Sequence, residues 1–328
     1  MTHTIKALLA AGALLATTAL SGAEPMEIVF GISANPGSLQ QESAAEFTAR
    51  ANEKLGEKAE VKLFDSSQIG DDKDLMQKLK IGTVHIALPS SIMSSISDEF
   101  ALFDMPFLVA DRDHLARIEE AIFWDQIAPT VEDDGYKVLA VWENGIRHIS
   151  NNVRPIVTPA DLEGVKLRTP NSTWRVKMFE AYGANPTPMS FSEVFTGLQT
   201  GVIDGQENPY TNIDAAKLNE VQTYLTKTGH VYSPAYPTMG KRVYDEMDPE
   251  IRTVLEETAR EVALWARERG MEDDGELEKK LIDGGMEFNE ADRDSFVEAS
   301  KPVYEEFGAT VEGGQAMIDE AIALANGS

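Results

Sequence analysis

The chain of 328 residues contains no cysteine. That excludes disulfides, thiol catalysis and thiolate metal sites. Histidine is scarce: His3, His85, His114, His148 and His230 are the full set, and none of them makes a closely spaced metal-binding pair. His85 lies in an apolar run and reads as a core residue. Neither common glycine-rich phosphate loop occurs, and there is no Gly-x-Ser-x-Gly turn to present a nucleophilic serine. Positive charge is in deficit, with 29 Lys and Arg against 55 Asp and Glu, for a net charge of −26. So acidic a surface disfavours nucleic acid and anionic membrane as partners. Any anion site must therefore create its own local positive potential. No residue pattern asks for a cofactor. Carboxylates are too abundant to single out an acid–base pair, and a discontinuous active site stays open at this point.

What is present is a globular composition, 42% hydrophobic and 26% charged, over a length that suits two domains. The first residues, MTHTIKALLAAGALLATTALSGA, place Lys6 before a run of small and apolar residues from Ala7 to Leu20. Ser21-Gly22-Ala23 follows as a small-residue cleavage site. The apolar run falls short of the roughly 20 residues a spanning helix needs, and no basic stop-transfer flank follows it. Residues 1–23 are expected to be a cleaved signal peptide, and the remainder an exported protein of the periplasm without stable membrane insertion.

Strand-like and helix-like runs then alternate, which predicts a largely parallel α/β sheet. Residues 26–33 read as a strand. Ser38 caps a helix with Ala44, Phe47, Ala51 and Leu55 on one face. Residues 61–64 form a second strand. Asp71-Asp72-Lys73-Asp74 lacks calcium-loop spacing and reads as a helix N-terminus. Residues 84–88 are an apolar strand ending at Ser90-Ser91, and residues 113–131 read as helix. From Pro249 to about Leu281 runs the longest helix pattern, striped by Ile251, Leu255, Ala259, Val262 and Ala266 and stopped at Gly284-Gly285. Helices at 290–307 and 314–325 close the chain. No linker separates the domains, so the chain is expected to cross between them several times and hinge at those crossings.

The stretch from Glu143 to Pro209 holds the chemistry. Arg147 and Arg168 lie on short strand-like runs, and Arg168 ends an apolar strand just before Thr169-Pro170. A guanidinium meets both oxygens of a carboxylate at once, a geometry lysine cannot reproduce. Either arginine alone reads equally as a structural ion-pair partner. Asp204 to Pro209 is polar and reads as a turn; Asn208, held extended by Pro209, offers an amide. Ser190 with Glu193 fits a capping box. Phe191 and Trp174 are candidates for flat apolar walls. In α/β sheets, ligands sit beyond the carboxyl ends of strands, which brings in Ser90, Ser91 and the loop from Pro36 to Gln41.

The runs DLEGVKLR (161–168), GANPTPM (183–189) and LQTGVIDGQENP (198–209) resemble the extracytoplasmic binding proteins of TRAP transporters, tripartite systems that work without ATP. The resemblance covers essentially the whole chain past the leader, and the LQTG–DGQENP pattern is its most specific part. It implies two α/β domains with a cleft between them and a long helix across both. The expected division is 24–145 with about 234–270 in domain I, and 146–233 with about 271–328 in domain II, bridged by the helix at about 249–281. It also implies no enzyme activity, but capture of a small organic acid and its delivery to a membrane permease. The resemblance places the principal carboxylate-binding arginine on Arg168, a second on Arg147, the cleft asparagine on Asn208 and an aromatic on Phe191. Tyr236 falls near a later cleft position. Gln40, Glu42, Ser90 and Ser91 stand for the first-domain contacts. The polar first wall suggests a hydroxylated ligand such as a sugar acid. An exported enzyme acting on a carboxylated substrate, or a binding protein of an ATP-driven importer, are the alternatives.

Overall fold

The computed structural model describes residues 25–325, so the expected leader lies outside the described residues. Its strands are β1 (Met26–Gly31), β2 (Ala59–Phe64), β3 (Ile86–Ala87), β4 (Tyr136–Val138), β5 (Trp142–Asn151), β6 (Lys166–Thr169), β7 (Asn185–Pro188), β8 (Gly205–Pro209), β9 (Tyr224–Ala235), β10 (Thr238–Gly240) and β11 (Glu287–Glu290). The α-helices are α1 (Leu39–Leu55), α2 (Asp72–Ile81), α3 (Arg112–Ile118), α4 (Thr173–Ala181), α5 (Val194–Gln199), α6 (Tyr210–Ala215), α7 (Lys241–Glu246), α8 (Pro249–Asp283), α9 (Arg293–Ala299), α10 (Lys301–Thr310) and α11 (Gly314–Leu324).

The strands divide between two sheets. One is five-stranded, in the order β2-β1-β3-β10-β4, and the other six-stranded, in the order β11-β9-β5-β8-β6-β7. Each sheet has its own apolar core. The striped face of α1 (Ala44, Phe47, Ala51, Leu55) packs with Ile28, Phe30 and Val61 of the first sheet. Ile149, Leu162, Val165, Leu167, Met178 and Phe179 gather on the second. The fold is the two-domain α/β architecture that the resemblance implies. The sheets, however, are mixed and not largely parallel: β10 runs antiparallel to β3 and β4, and β5 antiparallel to β8 and β9, where the chain crosses between the sheets. The chain passes from the first sheet to the second through 139–141, between β4 and β5. It returns through 236–237, between β9 and β10.

Helix α8 makes the third passage. Its 35 residues span about 52 Å at 1.5 Å per residue. Asp248 caps its first turn and Pro249 stands at its start, where a missing N–H costs nothing. Ile251, Leu255, Ala259 and Val262 join the core of the first sheet, whereas Leu277 and Leu281 join a core beside β8 and α6 in the second. One rigid element thus contacts both halves.

Several boundaries differ from the sequence pattern. The expected helix at 113–131 is α3 continued by a wider π-type segment, Glu119–Ile127, and a 3-10 turn, Ala128–Val131, around Pro129, which has no N–H to extend a helix. The expected helix at 290–307 is divided into α9 and α10 where Pro302 opens the second piece. It is preceded by an unforeseen strand, β11, paired parallel to β9. Met317, Ile318 and Ala321 of α11 pack with residues 100–131 beside the first sheet. The expected division assigned all of 271–328 to the second domain. The largest difference concerns residues 204–209. They read as a polar turn, yet β8 is a fully buried strand between β5 and β6.

Candidate functional site

Strand β8 can bury Gln206, Glu207 and Asn208 because each has a partner. Glu207 accepts from Arg147 Nε at 2.5 Å and Nη2 at 3.0 Å, from Arg175 Nη1 at 3.1 Å, and faces His230 Nε2 at 3.1 Å. Arg175, on α4, also reaches Asp104 at 2.6 Å, across to the side of the first sheet. Burial alone would raise the Glu207 carboxyl. Arg147 and Arg175 beside it outweigh that and hold it far below the ordinary carboxylate range. Among the described residues, Arg175 Nε is the one buried donor of this network left without a partner. The other groups and charges satisfy one another, which is what makes so polar a strand tolerable at the centre of a sheet. Gly205 starts the strand because a Cβ there would lie 2.6 Å from the Ser150 carbonyl oxygen of β5.

The side chains presented by β5 depend on a bulge. Asn144 and Arg147 are three residues apart, so an unbroken strand would put them on opposite faces. The pairing with β9 steps from Glu143–Pro234 to Gly145–Ser233, leaving Asn144 as the extra residue. Gly145 takes φ +127°, a conformation L side chains rarely adopt, with the Pro209 ring against the position a Cβ would occupy. Both Asn144 and Arg147 consequently line the same cleft.

That cleft lies between the two sheets and holds about 550 Å3 of space between atoms, part of it open to solvent. The second-sheet wall supplies Arg147, Arg168, Phe191 and Asn208. Arg168 is only 4% exposed. Its Nε and Nη2 donate to one carbonyl, Met189 O, at 2.9 and 2.7 Å, and its guanidinium sits 5.8 Å from the Phe191 ring centre. No carboxylate pairs with it among the described residues. Burial pushes it down to about 10, with Glu207 opposing and the like charge of Arg147 adding, so it stays cationic at neutral pH. Asn208 is fixed by Arg147 Nη2, which donates to its Oδ1 at 3.0 Å, and by donating from Nδ2 to Gln206 Oε1 at 2.5 Å.

The first-sheet wall supplies Ser33, Gln40, Asp72, Ser90 and Ser91. Ser90 Oγ donates to Pro234 O at 2.6 Å and accepts from Asn144 Nδ2 at 3.3 Å. The walls touch at the rim. Ser190 Oγ donates to Asp71 Oδ2 at 2.5 Å, and Leu39 N donates to Thr211 Oγ1 at 2.6 Å. Ser190 is therefore no helix cap: its hydroxyl leaves the turn to bind the opposite wall. Asp71 does cap α2, by accepting from Asp74 N at 3.0 Å. Among the described residues no cluster of acidic or imidazole groups is arranged to hold a metal ion.

Residues 30–310 match the family model described as bacterial extracellular solute-binding protein, family 7. The chain belongs to this family. Family 7 proteins are solute receptors, not enzymes. This family 7 receptor is 35% identical over 291 residues to the 2,3-diketo-L-gulonate-binding periplasmic protein of Escherichia coli, covering 87% of this chain and 88% of the relative. It is 34% identical to the C4-dicarboxylate-binding periplasmic protein of Vibrio cholerae, over 96% of this chain and 97% of that one. Among solved structures it superposes on a TRAP periplasmic solute-binding protein from Polaromonas bound to D-erythronate, with a TM-score of 0.86 at 30% identity, covering 91% and 98% of the two chains.

In the receptor, Arg168, Arg147, Asn208, Phe191, Ser90, Ser91 and Gln40 line one cleft. Three expected site residues lie elsewhere. Tyr236 stacks on Phe123 at 5.5 Å and meets Phe100 edge-on, in the core behind Ser90 and Ser91. Trp174 is buried against Phe307, its indole N–H donating to Asp98 at 2.9 Å. Glu42 turns toward α8, where Arg269 Nε neutralises it at 3.0 Å. Apolar packing claims both rings and an ion pair claims the carboxylate. Sequence reading missed Ser33, Asp72, Asn144, Ser190 and Asn212 in the lining. Asp72 stands in plain view as a helix start, but nothing local reveals that α2 begins at the cleft. Among the described residues, no helix is long and apolar enough to cross a membrane.

Proposed function

We propose that this receptor captures a small hydroxylated organic acid between its two walls and delivers it, in the periplasm, to the membrane permease of a TRAP transporter. One observation carries the proposal: Arg168 is a buried cation, in no ion pair with a carboxylate among the described residues, facing the cleft between the two walls. Burying such a charge is costly unless an anion joins it. Arg168 takes the carboxylate of the solute. Arg147, already matched by Glu207, acts as a hydrogen-bond donor and holds Asn208 in place. Gln40, Ser90 and Ser91 read hydroxyl groups from the first wall. The relatives bound to D-erythronate and named for 2,3-diketo-L-gulonate support a sugar acid. Segments 139–141 and 236–237 serve as hinges, with α8 bending or tilting as the third connection. Residues 1–23 act as the cleaved export signal.

The test is a thermal-shift panel of aldonates, keto-acids and simple carboxylates on the purified chain. A ligand that binds only the folded state raises its midpoint by mass action, about 2.7 kcal/mol at one hundred times its Kd. At least one sugar acid is expected to raise the midpoint strongly, and neutral sugars of the same length are expected to leave it unmoved. A chain indifferent to every carboxylate would refute the reading.

A further inference from the structure

Three charged side chains line the cleft: Arg147, Arg168 and Asp72. They are not equivalent. Arg147 is matched by Glu207, leaving one cation, Arg168, on the second wall and one carboxylate, Asp72, on the first. We infer that Asp72 is a specificity-determining residue that favours hydroxylated monocarboxylates and turns dicarboxylates away. This rests on the reading of the cleft as an organic-acid site.

The donor and acceptor inventory of the cleft supports it. Asp72 Oδ1 accepts from Ser33 Oγ at 2.6 Å, which fixes the carboxylate, and no protein donor reaches Oδ2 among the described residues. Asn212 donates from Nδ2 to Asn144 Oδ1 and Asn208 Oδ1, while its own Oδ1 is buried without a partner. Asn212 Oδ1, being buried, needs a donor, and Asp72 Oδ2 is free to accept one. A hydroxyl can donate, whereas an ionised carboxylate only accepts. Asp72 lies within reach of the Arg168 charge, so a dicarboxylate would bring two negative charges to a cleft that already holds one carboxylate and offers, among the described residues, one unpaired cation. Like charges in a site of low water content repel strongly, and such repulsion discriminates between partners more sharply than added attraction. Family membership leaves this point open, since relatives are named for both C4-dicarboxylates and a sugar acid.

The experiment is titration calorimetry with matched pairs that differ in one terminal group: galactonate against galactarate, and D-erythronate against meso-tartrate. The wild-type chain is expected to prefer the monocarboxylate of at least one pair by 100-fold or more. Asp72→Asn removes the charge with little change of shape. It is expected to cut that preference at least tenfold, by tightening the dicarboxylate and weakening the polyol acid. Asp72→Glu keeps the charge and should keep the rejection. Wild-type binding of both galactarate and meso-tartrate as tight as that of their partner acids overturns the inference while leaving an organic-acid receptor intact. An Asp72→Asn chain with unchanged preference overturns it as well. Failure to bind any carboxylate, by wild type and variants alike, sinks the receptor reading and this inference together.

Discussion

The second-sheet wall carries its main polar side chains on or just beyond strands, whereas the first-sheet wall carries them on loops and helix starts. Arg147, Arg168 and Asn208 sit on β5, β6 and β8, with β8 lying between the other two in one sheet. Behind them the Glu207 network buries two arginines and a histidine against two carboxylates, Glu207 and Asp104. Ser33, Gln40, Ser90 and Ser91 instead follow β1 and β3 or open α1, and none of them belongs to the Glu207 network; Ser33 binds Asp72 and Ser90 binds the Pro234 carbonyl. The difference separates two tasks. A carboxylate is a fixed shape with a full charge, so its receptor gains from a rigid, desolvated cation. The pattern of hydroxyls varies between solutes, and short polar side chains on loops can be exchanged without disturbing a sheet.

This contrast can be broken in descending steps. The largest effect is expected at Arg168→Ala. Losing charge-assisted hydrogen bonds of about 1.5–3 kcal/mol each should weaken organic-acid affinity on the order of 10³-fold by calorimetry. Arg168→Lys should restore only part of it, because an ammonium cannot grip both oxygens. Equal affinity in the alanine variant would place the anion somewhere else in the cleft.

Glu207→Gln should act on stability before binding. It leaves Arg147 and Arg175 buried with less opposing charge, a change that costs about 3–5 kcal/mol when one partner of a buried pair is removed. Urea denaturation would measure it. The same residue sets a pH signature. Its folded carboxyl lies far below the unfolded value, so the unfolded chain takes up the proton first. The stabilisation is complete above the unfolded value of about 4.3 and is lost as pH falls below it toward the folded one. The wild-type urea midpoint should therefore drop steeply between pH 5 and 3, and that of Glu207→Gln by less. Parallel pH profiles would contradict the assignment of that charge.

The smallest effects are expected on the loop-borne wall. Gln40→Ala and Ser91→Ala should each change affinity by no more than about tenfold, the range of single neutral hydrogen bonds. Their signature would be a changed rank order among sugar acids at nearly constant stability. A loss as large as that of Arg168→Ala would erase the distinction between the walls.

Much of this was legible before the fold was known. Helix α8, its cap at Asp248 and its stop at Gly284 follow from an apolar stripe and terminal signals that act within a few residues. The capping roles of Ser38, Asp71 and Ser172 are local in the same way. Arg147 and Arg168 could be singled out because a cation on an apolar strand is unusual in any chain, and Asn208 because Pro209 holds it extended, where it offers an amide. Tyr236 and Trp174 could not be sorted into cleft or core, since an aromatic ring carries the same sequence signal in both settings. Strand β8 was misread because polarity predicts exposure, and the rule fails when long-range partners satisfy every polar group.

By itself, the sequence determined the class of the molecule: two α/β units, a long bridging helix, a poverty of catalytic groups and a pair of well-placed arginines. Those properties depend on composition and on interactions a few residues apart. Tertiary structure alone decided which arginine is spent. Arg147 meets Glu207 across 60 residues and Arg175 meets it across 32. Arg168 is left with a backbone carbonyl and a cleft in front of it. Charge pairing acts over ångströms of space, and the chain is brought within that range only by folding.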